Sequence, residues 1–209
     1  MLEANFISEF NKQQFQERFE KLPKRIYLDT NVVQYVSDFG EFIFDNYNEN
    51  EDYFVGAKGK KIEREDFLFG QIEALRQIFI TVERTPFEFA ISTCVYEEIQ
   101  RKNDYHLTRW FYELWDYWQT VIGEYNGNAF TGNGKVFLNQ LQSDNSIKGA
   151  LSKDDFEIFC DAVELECNAI LTCDKYRNGQ KWIYKKYGLM ILYPSDFIEL
   201  TKEFQALWF

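Results

Sequence analysis

Acidic residues stand at places in this chain where they could bind a metal ion together. Short apolar runs, which are typical of buried parallel strands, are each followed by a carboxylate or by a helical segment that carries one. Ligands of open parallel sheets bind outside the carboxyl ends of the strands, so acids at these positions lie where such folds keep their chemistry. The acids in question are Asp29, Glu98, Asp155 and Asp174.

Four carboxylates that converge without a matching number of buried cations repel one another. Hard divalent cations such as Mg²⁺ or Mn²⁺ relieve that repulsion, because they prefer oxygen ligands and keep several waters. Such an ion lowers the pKa of bound water and neutralises charge on a phosphoryl group. The acids therefore predict metal-assisted hydrolysis of a phosphodiester or a phosphomonoester.

The elements that position these acids alternate between strand and helix, which predicts an α/β fold with a parallel central sheet. The predicted strands cover residues 26–29, 87–92, 169–172 and 189–192. The predicted helices cover residues 5–21, 32–39, 62–84, 105–122, 136–150 and 194–207, with two more after Thr93 and after Ser152. Helix 62–84 is expected to turn Phe67, Ile72, Leu75, Ile78 and Phe79 inward. Residues 41–61 and 123–135 are interpreted as loops or insertions, and residues 179–187 as a short helix or hairpin.

Local signals predict the helix ends. Asn31 or Thr30 is expected to cap the helix after the first strand, and Thr93 the helix after the second. Ser152 is expected to cap the helix before the third strand as the first residue of a capping box. Asn168 is expected to end that helix.

The composition argues against several classes of protein. The net charge of −11 argues mildly against a nucleic-acid binder, and the single histidine, His106, argues against a zinc site of His and Cys ligands and against a Ser-His-Asp triad. Gly134-Lys135 lacks the other residues of a phosphate-binding loop. No apolar run approaches the ~20 residues of a membrane span, and the N-terminus has no signal-peptide core. The cysteines, without CxxC spacing, predict reduced, buried thiols in a cytoplasmic protein: Cys94, Cys160, Cys167 and Cys173.

Four short motifs resemble, in their order, those of the PIN-domain ribonuclease family. They are Leu28-Asp29-Thr30-Asn31; Ile91-Ser92 with Glu98-Ile99; Asp155 with Ala162; and Leu171-Thr172-Cys173-Asp174, followed by Tyr193-Pro194. The resemblance covers residues from about 25 to 200 and implies a three-layer α/β/α sandwich with a central parallel sheet of four or five strands. It also implies an acidic Mg²⁺ or Mn²⁺ site that cleaves single-stranded RNA.

The resemblance assigns roles to individual residues. It implies that the acids Asp29, Glu98, Asp155 and Asp174 are the catalytic metal ligands, directly or through water, and that they are oriented by Asn31, Ser92 and Thr172. The chain, residues 1–209, would be one PIN-like domain with helical insertions at about 41–84 and 105–150. The toxin-type members of the family add the expectation of an antitoxin-like protein partner or a homodimer. The gap from Asp29 to Glu98 is longer than in those compact members, which suggests an inserted helix or lid.

Neighbouring acids compete for the same roles. Glu98 is preferred to Glu97, because the family's glutamate lies six residues after the serine and just before an aliphatic residue. Asp154 and Asp161 are alternatives to Asp155. Asp161 lies six residues past Asp155, about 120° round a helix, and is expected to point elsewhere.

Other interpretations of the acids remain open. Asp29 and Asp155 could each simply cap a helix. A haloacid-dehalogenase-type phosphatase also begins with an acid at the end of its first strand, but it needs a second one where this chain has Asn31. A PIN-like scaffold that binds RNA or a protein without cutting is the non-enzymatic alternative.

A basic and aromatic segment, residues 175–187, begins next to Asp174 and contains no acid. Cations that track phosphates and aromatic rings that stack on bases are the two parts of a groove for single-stranded nucleic acid. The opposing interpretation is a basic helix face with its aromatic residues in the core, and the segment Lys58–Arg64 is a second path for RNA. The expected RNA-binding residues are Lys175, Arg177, Lys181, Trp182, Lys185 and Lys186.

Overall fold

The computed structural model describes residues 12–45, 53–56, 59–81, 84–105, 107–109, 112, 143–148, 151–174 and 185–208. The predictions for the aromatic helix 105–122, for the loop 123–135 and for most of residues 136–150 and 179–187 lie largely outside these ranges. Among the residues described there, 107–109 and 185–186 are helical, and Asn145–Lys148 forms a single helical turn.

A parallel sheet of four strands lies at the centre of the fold. Its strands are β1 (Arg25–Leu28), β4 (Glu88–Ala90), β5 (Ala169–Leu171) and β6 (Met190–Leu192), in the spatial order β4-β1-β5-β6. All three strand pairings are parallel. The central strands β1 and β5 are almost entirely inaccessible to solvent, as expected for strands covered on both faces. The predicted α/β class and parallel sheet are therefore confirmed.

Helices cover the sheet. They are α1, described over residues 12–20, α2 (Thr30–Asp38), α3 (Phe67–Thr81), α4 (Thr93–Arg101), α5 (Lys153–Glu164) and α6 (Pro194–Thr201), which continues as a 3-10 helix over Lys202–Leu207. Helix α3 packs on α6, helix α4 packs on α5, and α2 contacts both α3 and α4. This arrangement around the sheet is consistent with a three-layer α/β/α sandwich.

The segment 41–61, predicted to be a loop or an insertion, contains regular structure in its described residues. A π-helical turn at Glu41–Asp45 is followed by an antiparallel hairpin of β2 (Tyr53–Val55) and β3 (Lys61–Glu63). Phe54 and Ile62, which pair across the hairpin, are both buried. The reason is that one inward-facing residue per short strand is enough to attach the hairpin to the core, and a single residue leaves no periodic signal in the sequence.

Helix α3 is shorter than predicted at both ends, because residues 61–63 belong to strand β3 and the helix ends at Thr81. Phe67, expected to face inward, is 43% exposed and meets the ring of Tyr193 edge-on at 5.3 Å. Phe67 is the first residue of the helix and therefore lies at its exposed end. The other predicted inward residues are buried: Ile72, Leu75, Ile78 and Phe79.

The two ends of the chain pack together. The ring of Phe204, in the 3-10 helix, lies 4.9 Å from that of Phe15 and 5.4 Å from that of Phe19, both on α1. The predicted helices at the N-terminus and after Pro194 are therefore confirmed within the described residues. All four cysteines are buried and free of disulfides, as predicted.

Candidate active site

The connections from strand β1 define a topological switch point in the sheet. The chain leaves β1 toward β4 on one side, and β5 lies on the other side of β1. Adjacent strands with this connectivity leave a crevice outside their carboxyl ends, where ligands of such folds bind. The backbone N–H of Asp29, the residue after β1, donates to the carbonyl of Leu171 at the end of β5, with an N···O distance of 3.1 Å. The predicted acid therefore lies at the switch point.

The carboxylate of Asp29 is buried and held by two side chains. Thr172 donates from Oγ1 to Oδ2 of Asp29 at 2.6 Å, and Asn31 donates from Nδ2 to the same oxygen at 2.6 Å. Only 5% of Asp29 is exposed. The two residues predicted to orient an acid at this place, Asn31 and Thr172, thus both contact Asp29.

Asn31 also joins the loops that follow the two central strands. Its Oδ1 accepts from the backbone N–H of Cys173 at 2.8 Å, and Thr172 Oγ1 accepts from the backbone N–H of Asp174 at 3.1 Å. Asp174 is exposed to solvent, directly after this network. The network therefore fixes the backbone of Asp174 relative to the carboxylate of Asp29.

Burial raises the pKa of Asp29 from 3.8 to about 6. The hydrogen bond from Thr172 opposes this rise, and the negative charge of Asp174 adds to it. The charge of Asp174 thus disfavours the charged form of Asp29, which is the electrostatic situation that a bound cation relieves.

Helices α2 and α4 both have other residues at their N-cap positions than predicted. Asp29, and not Asn31 or Thr30, occupies the N-cap position of α2, yet its side chain makes no capping bond. Ser92, and not Thr93, caps α4, accepting from the backbone N–H of Cys94 at 3.2 Å. Asp29 thus holds the capping position, but its carboxylate is bound by Thr172 and Asn31 rather than by the backbone N–H groups that a capping side chain accepts from.

The helix before β5 has the predicted N-cap, Ser152, without the return bond that would complete a capping box, and it ends at a different residue than predicted. Ser152 caps α5 by accepting from the backbone N–H of Asp155 at 3.1 Å. Asn168 does not end this helix, whose C-cap is Leu165. The side chain of Asn168 accepts instead from the backbone N–H groups of Lys24 and Arg25, and it thereby joins the entry of β5 to the entry of β1.

A second polar network lies beside the first, at the end of strand β4. The hydroxyl groups of Tyr27 and Ser92 are hydrogen-bonded at 2.6 Å, and Ser92 in turn donates to Oδ2 of Asp161. Burial raises the pKa of Asp161, and the bond from Ser92 opposes that rise. The Asp161 carboxylate is thus bound by an interior serine. Ser92 therefore contacts Asp161, and not one of the predicted ligands.

The two adjacent glutamates on α4 differ in exposure, as expected for helix neighbours that point about 100° apart. Glu97 is exposed, whereas the side chain of Glu98 is 17% exposed. Arg101 lies between Glu98, at 3.9 Å, and Asp154, at 3.6 Å. Asp155, in the first turn of α5, is partly buried. Glu98 and Asp155 are thus on the two helices that pack together beside the sheet.

Among the residues that the structure describes, no group of three or more His, Cys, Asp or Glu side chains is gathered closely enough to hold a metal ion. The structure brings Asp29 and Asp174 together, and it does not bring Glu98 and Asp155 to them as further direct ligands. Mg²⁺ often uses only one or two carboxylates, with waters and substrate phosphate oxygens completing its shell. The oxygen donors of Asp29 and Asp174 fit a hard divalent cation on these terms.

The predicted RNA-binding segment lies partly outside the described residues, which include neither Lys175 and Arg177 nor Lys181 and Trp182. Lys185 is exposed. Lys186 pairs with Asp144, with an Nζ to Oδ2 distance of 3.2 Å. Its charge is therefore partly neutralised by an acid from the segment before α5.

No family model, curated protein or solved structure matches this chain. In the part of the chain that the structure describes, none of the helices has the length and apolar character needed to cross a membrane. The membership of the PIN-domain family therefore stays a prediction from the motifs quoted above.

Sequence reasoning missed two residues at this end of the sheet. Tyr27 lies two residues before Asp29, which directly follows the strand. Side chains two residues apart point to the same face of a sheet, so this spacing could have indicated that Tyr27 lies near the site. The sequence offers Asp161 as an alternative to Asp155 but gives no signal for its bond with Ser92, which lies 69 positions away.

Proposed function

We propose that this chain is a divalent-metal-dependent endoribonuclease that hydrolyses phosphodiester bonds of single-stranded RNA. The observation that carries the proposal is the pairing of Asp29 with Asp174 at the switch point of the parallel sheet. Asp29 is buried, has its pKa raised to about 6, and makes no capping bond that would give it a purely structural role. Perturbed, buried acids in a cleft of this kind favour a functional site.

The chain's own residues set the geometry of the reaction. Thr172 and Asn31 fix the orientation of the Asp29 carboxylate by binding one of its oxygens, and Asn31 fixes the loop that carries Asp174. A bound Mg²⁺ or Mn²⁺ would supply a more acidic water and neutralise charge on the phosphate. Asp29 and Asp174 would hold it, while Glu98 and Asp155, on the adjacent helices, would act through water.

The phosphatase alternative is disfavoured by the bonds of Asn31. A haloacid-dehalogenase-type phosphatase needs a second carboxylate two residues after the first, and this second carboxylate exchanges protons. The side chain of Asn31 is an amide, which cannot titrate. Its Nδ2 donates to Asp29 and Thr172, and its Oδ1 accepts from the N–H of Cys173. Its role here is to hold other groups in place.

The proposal predicts that Asp29→Asn and Asp174→Asn each lower the rate of Mg²⁺-dependent RNA cleavage by about 100-fold or more. The reason is that each loss removes one of two direct metal ligands, and metal stabilisation of the transition state is worth several kcal/mol. The measurement is the cleavage rate of a mixed pool of single-stranded RNA with Mg²⁺, with Mn²⁺ and with a chelator.

Glu97→Gln is the matched control, because it removes an exposed carboxylate from the same end of the molecule. It should cleave RNA at the wild-type rate. A parallel assay on a small phosphomonoester tests the phosphatase alternative. Wild-type rates in both aspartate variants, or hydrolysis of the monoester alone, would contradict the proposal.

A further inference from the structure

Helix α2 carries an aromatic residue one turn above the candidate metal pair. Asn31, which contacts Asp29 and the N–H of Cys173, lies four residues before Tyr35 on this helix. Residues at this spacing are neighbours on one helix face. Tyr35 is partly exposed, and its ring lies 6.4 Å from that of Phe39, the next residue along the same side of the chain. The ring therefore lies on the helix face that also carries Asn31, with the tilted ring of Phe39 as its neighbour.

The electrostatic surroundings of Tyr35 agree with this position. The pKa of its hydroxyl is raised, first by burial and then by the nearby Cys173 and Asp174. Cys173 and Asp174 are the residues that follow β5 at the switch point. The Tyr35 ring is thus close to the carboxylate that we propose as a metal ligand.

The hairpin of β2 and β3 is fixed to the molecule by aromatic packing. The ring of Phe54 lies 4.0 Å from that of Phe69, with which it stacks, and 3.8 Å from that of Phe42. Near the turn, Gly56 lies so close to Phe39 that an added Cβ would come within 3.1 Å of its ring. Gly56, just after strand β2, therefore packs against the C-terminal end of helix α2.

This packing places a lysine over the Tyr35 ring. The Nζ of Lys60 lies 5.5 Å from the centroid of the Tyr35 ring, and the Lys60 side chain is exposed. A Lys ammonium within about 6 Å of a ring centroid is attracted by the face of the ring. A cation and an aromatic ring, from two different elements, thus meet beside an acidic pair.

We propose that Tyr35 and Lys60 form a subsite for one unpaired nucleotide beside the scissile phosphate, with Tyr35 stacking on the base and Lys60 binding a backbone phosphate. This inference rests on the proposed function and extends it. It gives the hairpin, an element inserted between β1 and α3, a role in binding substrate. It also offsets the repulsion between a polyanion and the acids of the site.

A ring that stacks on bases gives affinity without strong sequence preference, because every base has a π-face. The subsite therefore selects unpaired over base-paired nucleotides, since a base inside a duplex cannot leave its stack without cost. Single-stranded RNA is the substrate class that this arrangement fits.

The test measures binding and cleavage with Tyr35→Leu and Lys60→Gln. Binding of a labelled single-stranded RNA of about eight nucleotides is followed by fluorescence anisotropy in chelator, which keeps the RNA uncut. We expect Tyr35→Leu to raise Kd about ten-fold or more, the loss expected for one stacked base. We expect Lys60→Gln to make the slope of log affinity against log salt shallower by about 0.7, the value for one lost phosphate contact on a single strand. In Mg²⁺, both variants should raise KM and leave kcat near the wild-type value.

Three controls separate binding from structure. Lys61→Gln changes the neighbouring lysine, whose Nζ is engaged by Glu63 at 2.8 Å and by the Tyr53 ring at 4.1 Å, and should not alter the salt slope. Tyr35→Phe keeps the ring and should restore wild-type affinity. With an oligonucleotide of abasic sites, Tyr35→Leu and wild type should bind equally.

The outcomes distinguish this inference from the function on which it depends. If wild type cleaves RNA but both variants bind and cleave as it does, the subsite is wrong and the proposed function stands. Equal weakening of abasic and normal RNA by Tyr35→Leu also overturns the subsite, because the effect would then be structural. If wild type neither binds nor cleaves RNA, the proposed function and the subsite both fail.

Discussion

The charge state of a single side chain, Asp29, decides what the site can bind. In the absence of a cation, burial and the charge of Asp174 hold its pKa at about 6. Thr172 and Asn31 bind the carboxylate, yet their hydrogen bonds only partly offset the burial. The protein therefore bears a free-energy cost at neutral pH that a bound cation would remove.

This cost predicts a pH-dependent difference between wild type and Asp29→Asn in metal-free buffer. The folded-state pKa of Asp29 lies above the unfolded value of 3.8, so between about pH 4 and pH 6 the folded state holds a proton that the unfolded state has lost. Stability conferred by this group thus declines as pH rises through that window. The free energy of unfolding of Asp29→Asn minus that of wild type should grow by about 2 kcal/mol from pH 4 to pH 8.

Urea denaturation at several pH values in chelator measures this difference. Comparison of the two proteins at each pH cancels the titration of the other acids. A difference that does not change with pH would show that Asp29 ionises as readily in the folded protein as in the unfolded chain.

At the same scale, the two glutamates on α4 should differ in importance. Glu98→Gln should cost about ten-fold or more in kcat/KM for RNA cleavage relative to Glu97→Gln, as removal of a group that acts on a metal ligand through water does. The reason is that adjacent helix residues point about 100° apart, and only Glu98 turns inward. Equal losses in the two variants would place the site away from this face of α4.

At the scale of elements, hydrogen bonds between side chains fasten the helices to the strand ends. Ser92, after β4, is bonded both to Tyr27 of strand β1 and to Asp161 of helix α5. It also caps α4. One small residue thus joins a strand and two helices, including those that carry Glu98 and Asp155.

Removal of this junction should destabilise the fold. Ser92→Ala leaves the buried Tyr27 hydroxyl without its partner and removes one of the hydrogen bonds to the Asp161 carboxylate, which keeps its bond from the backbone of Cys94. We therefore expect the free energy of unfolding to fall by about 2 kcal/mol. Ser195→Ala is the matched control, because Ser195 is exposed and only its backbone N–H makes a described bond, to Gln71. Denaturation at pH 7 should show the loss in Ser92→Ala alone. A loss below about 0.5 kcal/mol would mean that water or a rearranged side chain takes the place of Ser92.

At the scale of the whole molecule, the sequence predicted the parallel sheet and the position of Asp29 and Asp174 at the carboxyl ends of its two central strands. The apolar runs before Asp29 and Asp174 are strong signals, because strands buried on both faces have no polar alternation. Parallel strands bring their carboxyl ends to one edge, so the pairing of these two acids followed from the fold class. The contacts of Asn31 and Thr172 with Asp29 were predictable for the same reason.

The remaining features depend on contacts that a linear pattern does not contain. The hairpin of β2 and β3 is held by Phe54 and Ile62, one buried residue per strand, within a polar stretch that reads as a loop. Which residue caps α4 depends on the position of the chain turn, and Ser92 and Thr93 are equally good caps by type. Asp161 acquires its role only from Ser92, which a distant strand brings near.

The most direct test of the central claim is an anomalous difference map from crystals soaked in Mn²⁺. The ion should appear about 2 Å from carboxylate oxygens of Asp29 and Asp174, with Asn31 and Thr172 still bound to Asp29. The peak should vanish in Asp29→Asn crystals under the same soak. An ion bound elsewhere, for instance between Glu98 and Asp154, or a peak unchanged in the variant, would contradict the account.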